Sequence, residues 1–166
     1  MGLILHLGVV DVAYSDASGG SGATTTGDVA TILEQRYHIM STFFALRRSS
    51  ISGIFAESMA KSLQRLLKTG QRIDANAPSL TFGADQKIET EFRRFIFRGE
   101  MDTLHFALTG QERISAAAQA GVNHRKKRPY ASSNKPRPSF VDTGLYVASF
   151  RAWTSTAPEA ADLVEA

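Results

Sequence analysis

The amino-acid sequence predicts an α+β domain: a small sheet holding a strand from each end of the chain, packed against one long helix and two or three shorter ones. Three observations carry that expectation. Apolar segments stand near both ends, Leu3 to Ala13 and Phe150 to Thr154, and neither is stable as an unpaired strand. Between them, apolar residues recur at helical spacing, most cleanly from Ile51 to Leu67. With 166 residues, 43% hydrophobic and 21% charged, the chain suffices for one domain with a genuine core and is too short for two comfortable ones.

In chain order, Leu3 to Ala13 is rich in Leu, Ile and Val and reads as a strand, with Gly8 marking a bulge. Ser15 to Gly27 is a loop by composition; its Gly19, Gly20 and Gly22 lack the spacing and the following Lys-Ser/Thr of a phosphate loop. Asp28 is placed as an N-cap, with Val29, Ile32, Leu33, Tyr37 and Met40 on one helical face, and that helix stops near Tyr37 or runs on to Leu46. Ser49 or Ser50 is placed as the cap of a second helix, whose stripe Ile51, Ile54, Phe55, Met59, Leu63, Leu66 and Leu67 ends at Gly70. The stripe reads as an ordinary core face, centred on Leu63 and Leu66, that backs the sheet.

After Pro78, Asp85 caps a third helix with Ile88, Phe92, Phe95 and Ile96 inward. Arg93, Arg94 and Arg98 then face solvent or a neighbouring subunit, and Gly99 breaks the helix. Leu104 to Leu108 is too short to assign by period, whereas the Ala-rich Gln111 to Ala120 reads as a helix ending at Gly121. Asp142 or Thr143 caps one turn through Tyr146 to Ser149 ahead of the last strand. Residues 157–166 form a flexible acidic tail, leaving 1–156 as the domain.

The segment 122–139 stands apart as a basic, proline-containing arm. It holds Arg125, Lys126, Lys127, Arg128, Lys135 and Arg137, with no acid between Glu112 and Asp142. These charges cannot pair among themselves and are expected to face solvent, phosphate or an acidic partner. Pro129, Pro136 and Pro138 forbid a regular helix there. The net charge of +3 hides this asymmetry: without the arm's six cations, 13 of the 19 Lys and Arg remain against 16 Asp and Glu, a body of net −3. Local basicity favours a specific arm over a general nucleic-acid coat.

Several chemistries find no support. The chain has no cysteine, which excludes disulfides and thiolate metal sites. His6, His38, His105 and His124 show no metal-ligand spacing. No nucleophile elbow and no dinucleotide fingerprint occurs, so no catalytic residue, cofactor or metal is expected. The triplet Asp142-Thr143-Gly144 matches the aspartic-protease signature, but its basic, proline-rich approach is the wrong setting, and it reads as a structural turn. No apolar run approaches the roughly 18 residues that span a bilayer, and the start MGLILHLGVV lacks the charged region and cleavage site of a signal peptide.

The sequence PSFVDTGLYVASFRAW, 138–153, is similar to the P-L-I-D-T-G-x-L-x-x-S-I signature near the C-terminus of tail-completion (neck) proteins of long-tailed bacteriophages. The matching residues are Pro138, Phe140, Val141, Asp142, Thr143, Gly144, Leu145 and Ser149, with Phe150 in place of an aliphatic residue. LHLGVVDVAYSD, a Gly/Ser/Thr spacer and GDVATILEQRY resemble the family's strand, loop and short helix. STFFALRRSSISGIFAESMAKSLQRLLKTG resembles its R-P-F-F-R entry into a long helix, with Ser41 and Thr42 where the family often has Arg and Pro, and favours a break near Ile39 to Thr42. The resemblance does not extend over about 71–120.

It implies a structural virion protein without catalysis, assembled in the host cytoplasm. Such a protein forms a homo-oligomeric ring, most simply a hexamer, at the head-tail junction. One face meets the tail tube or terminator, another the head connector and neighbouring neck proteins, and the lumen stays open for DNA. The six arm cations are the candidate DNA or partner contacts, and Phe43, Phe44, Tyr146, Phe150 and Trp153 are core or interface. The alternative is a small nucleic-acid-binding protein using the arm 124–137 on phosphates.

Overall fold

The computed structural model describes residues 3–14, 24–70, 81–109, 116–122, 128, 130–141 and 144–156. The two end strands pair as expected: β1 (Leu3–Val9) runs antiparallel to β2 (Phe150–Thr156), with Leu3 opposite Thr156 and Val9 opposite Phe150. Alternation turns Leu5, Leu7, Val9, Phe150, Ala152 and Thr154 to the core, and Ile4, His6, Gly8, Arg151, Trp153 and Ser155 to the other face. β1 stops at Val9 rather than Ala13 because β2 begins only at Phe150; beyond it Val10 N donates to Ser149 O at 2.8 Å, and Ala13 forms an isolated antiparallel bridge with Thr25. The buried Thr26 also holds this segment, its hydroxyl donating to Val10 O at 2.6 Å and accepting from Val12 N at 2.8 Å. Nor is there a bulge at Gly8, where the register continues unbroken. The absence of a side chain there admits Trp153, whose ring lies 3.0 Å from where a Cβ would stand.

Helix α1 (Thr26–Tyr37) is capped by Thr25, with Asp28 three residues on as the reciprocal member of a capping box. It ends at His38, which takes the left-handed conformation at φ 50 and also opens α2 (Ile39–Thr69). No cap is needed at Ser49 or Ser50, because the Glu34 carboxylate accepts from Met40 N at 2.8 Å and Ser41 N at 3.2 Å and so satisfies the start of α2 earlier. The 31-residue helix is about 46 Å long, and Gly70 closes it as the sequence indicates.

The sheet is backed by α3 (Ala84–Phe97) and not by the stretch Ile51 to Leu67. Phe92 stacks on Phe150 at 3.7 Å and meets Phe43 edge-on at 5.2 Å, while Phe95 lies 5.6 Å from Phe43. These four rings, with Ile39, Ile88 and Ile96, are fully or almost fully buried, each contributing about 1.5–3 kcal/mol by leaving water. A buried bond of 2.9 Å between the Thr81 and Thr154 hydroxyls ties the approach to α3 onto β2. Because α3 fills the space behind the sheet, α2 reaches the core through its first half, chiefly Ile39, Phe43 and Ile51, with Ile54 and Phe55 packed against it.

The rest of the chain closes one end. Gly83, at φ 80, takes the cap position expected of Asp85, which falls in the first turn of α3. α4 (Glu100–Thr109) supplies the assignment that periodicity left open over Leu104 to Leu108. Within the Ala-rich stretch, the described residues form the one-turn helix α5 (Ala116–Gln119). α6 (Leu145–Ser149) follows Gly144, which takes its N-cap position at φ 76. Asp142, Thr143, Pro78 and the tail 157–166 lie outside the described residues.

Candidate interaction surfaces

The C-terminal half of α2 is largely exposed. Beyond Ser58, whose buried hydroxyl donates to Phe82 O at 2.9 Å, the stripe that reads as core comes out of the body. Met59 is 41% exposed, Leu63 53% and Leu67 84%, and Phe82 alongside is 74% exposed with the Arg65 guanidinium 6.0 Å above its ring. The expectation that Leu63 and Leu66 centre a core face is therefore corrected for Leu63, while Leu66 is half-buried. From Ser58 to Thr69 the helix carries Lys61, Arg65 and Lys68 and no acid. One turn earlier, Glu57 accepts from Lys61 and Lys87, both at 2.6 Å. Those hydrogen bonds, first Lys61 and then Lys87, hold its carboxyl at about 2, against 4.5 for an ordinary glutamate.

At the other end of α2, Leu5 and Leu7 of β1, Glu34 of α1 and Met40, Ser41 and Phe44 of α2 line a groove of about 350 Å³. It lies beside the left-handed His38, where α1 and α2 meet. Its one charge is the Glu34 carboxylate. On the outer face of the sheet, Trp153 stacks on His6 at 5.3 Å, and His6 Nε2 lies 2.7 Å from Ser155 Oγ. Of the five aromatics left open as core or interface, Phe43, Tyr146 and Phe150 are buried, whereas Phe44 and Trp153 are exposed.

The arm divides in two. Arg125, Lys126 and Lys127 lie outside the described residues, as do Asp142 and Thr143 of the turn motif; Arg128 and Lys135 are exposed. Arg137 also bonds to the backbone of its own chain. Its guanidinium donates to Val141 O at 2.5 Å and to Val122 O at 3.2 and 3.3 Å, and its backbone N–H donates to Ala118 O at 3.1 Å. Gly121 permits that return: at φ 64 it lies so close to the Lys135 carbonyl that a Cβ would stand 2.5 Å from it. Ser139 N donates to the Asp102 carboxylate at 3.2 Å and Phe140 packs edge-on against Tyr37. The end of the arm is thus sewn to α5, α4 and α1. Charge counting could not see this, because carbonyl oxygens satisfy a guanidinium as an acid does.

A second cavity, of about 240 Å³, is lined by Tyr14, Val29, Leu33, Ser139, Phe140, Gly144 and Tyr146. Burial pushes the Tyr146 phenol well up from 10, with the Glu34 and Tyr14 charges adding to it, which leaves a neutral hydroxyl in an apolar setting and no base. Among the described residues no group of three or more His, Asp or Glu is placed to hold a metal ion, and no helix is long and apolar enough to cross a membrane. Comparison with family models, with curated proteins and with solved structures finds no match. Function is argued, accordingly, from the surfaces themselves: an exposed apolar and basic helix end, an apolar groove carrying one acid, and a basic arm anchored at its far end.

Proposed function

We propose that this chain is a structural subunit of a tailed-bacteriophage virion, a tail-completion or neck component that assembles as a homo-oligomeric ring, most simply a hexamer, at the head-tail junction. The observation that carries the reading is the outer half of α2. A helix that leaves its own core with Leu63, Leu67 and neighbouring Phe82 open to water is costly for a monomer and ordinary for a subunit whose neighbours cover it. The similarity of 138–153 and of the N-terminal half to tail-completion proteins supplies the class. In this reading the exposed surfaces meet neighbouring copies and the adjoining connector, tube or terminator, while the arm from Arg125 to Lys135 reaches DNA in the lumen or an acidic neighbour.

Electron microscopy of the purified protein, alone and with isolated tails that lack it, tests the proposal. Rings, or tails capped by one added ring of density, are expected. Protein that stays monomeric and leaves such tails unchanged would remove the reading. The exposure of Arg128 and Lys135 favours the second reading, a small nucleic-acid-binding protein. That reading requires the isolated chain to bind DNA or RNA with an affinity that falls steeply as salt rises.

A further inference from the structure

We infer that the C-terminal tip of α2 in one copy seats in the groove between β1, α1 and the start of α2 in a second copy. The two surfaces match in shape and in charge. The tip offers Leu63 and Leu67 on a convex helix, and the groove offers Leu5, Leu7, Met40 and Phe44 around a space of about 350 Å³, room for a pair of aliphatic side chains. The tip carries Arg65 and Lys68 with no acid in its last turns, and the groove carries Glu34 as its one charge. Seating the leucines brings those cations toward a carboxylate fixed in place by the backbone N–H groups of Met40 and Ser41.

The occupant has to be another molecule. Phe44 and Leu67 belong to one continuous helix and stand about 35 Å apart along it, so no chain can place its own tip in its own groove. A contact between unlike surfaces passes from each copy to the next. It closes into a ring when the rotation between copies permits and into a reciprocal pair when two copies face each other. The inference rests on the self-assembly part of the reading above and names the surface that performs it.

The chain has no cysteine, so single thiols can be placed without background. Leu67→Cys and Phe44→Cys proteins are prepared separately, with Ser41→Cys as the second groove position should loss of the Phe44 ring disturb folding. A short bis-maleimide is then added to each alone and to mixtures. The mixture of tip and groove variants is expected to give a cross-linked dimer several-fold above either variant alone. In parallel, Leu63→Asp combined with Leu67→Asp should leave circular dichroism and melting temperature near wild type while weakening self-association at least tenfold by light scattering.

Wild-type protein that assembles, yet yields no tip-to-groove cross-link and tolerates both aspartates, overturns this contact and leaves the ring reading standing on another surface. Protein with no self-association at any concentration overturns the contact too, and the microscopy with tails then judges the ring reading separately.

Discussion

Phe92→Ala and Leu63→Ala should separate by several kcal/mol, although both residues sit on apolar stripes of comparable regularity. Phe92 is fully buried, stacked on Phe150 and edge-on to Phe43. Its truncation removes the transfer energy of a whole ring and leaves a cavity, a loss of about 3–5 kcal/mol. Two ring partners without a mate push the value toward the upper end. Leu63 keeps 53% of its surface in water within its own chain. Full burial of a leucine contributes about 1.5–3 kcal/mol, so less than half of that, on the order of 1 kcal/mol, is at stake. Alanine's better helix propensity returns a few tenths. Trp153, the only tryptophan, lies on β2 and reports the unfolding of the sheet by fluorescence. Urea titration at a concentration where the protein is monomeric gives both values from the midpoint, provided the slope is unchanged. A Leu63→Ala midpoint as low as that of Phe92→Ala would show that the outer half of α2 is packed by its own chain, and the account of that helix as an assembly surface would fall with it.

Gly121→Ala should cost about 1–3 kcal/mol, since it forces a side chain into a left-handed site and against the Lys135 carbonyl; faster proteolysis within 122–137 would show the arm coming loose, and unchanged cleavage would count against the anchoring. Glu57 has a depressed carboxyl, so its contribution is present above 4.5 and is lost as pH falls toward about 2. Melting temperature measured across that window should fall slightly less steeply in Glu57→Gln than in wild type, the effect being small because the group is exposed. Replacing Arg125, Lys126, Lys127 and Arg128 by Ser should leave the melting temperature nearly unchanged but, on the proposed neck role, depress infectious-particle counts in a complementation assay. Wild-type counts would make the arm a solvated tether.

The pairing of the end strands was legible because each apolar segment needed a partner and the other was the only comparable one. The inward set Ile88, Phe92, Phe95 and Ile96 was legible because a 14-residue helix against a sheet leaves its stripe one place to go. The backbone contacts of Arg137 were not, for a physical reason: the carbonyls of Val122 and Val141 that accept from it are in no count of side-chain charges. Ser49 and Ser50 misled in a related way, since the side chain that satisfies the start of α2 is Glu34, back in the preceding helix. Gly8 punctuates the strand, but only the register reveals that it makes room for Trp153.

The α2 stripe is the instructive failure. Helical periodicity records that one side of a helix avoids water, and says nothing about which molecule covers it. Ile51 and Leu63 lie on the same pattern twelve residues apart, yet Ile51 is buried by its own chain and Leu63 is half in solvent. One feature of the structure and one of the sequence distinguish them. At about 46 Å the helix outruns a body of this size, whose radius of gyration should be near 15 Å, and its last turns gather Lys61, Arg65 and Lys68 without an acid. A core helix has no use for such an end, whereas a surface meeting a defined acidic groove does. On the proposed tip-to-groove contact, the helix is divided by function along its length. Substitutions at the buried Ile39, Phe43 and Ile51 should register as lost stability at any concentration. Those at the groove residue Phe44 and from Met59 to Leu67 should register chiefly as lost association.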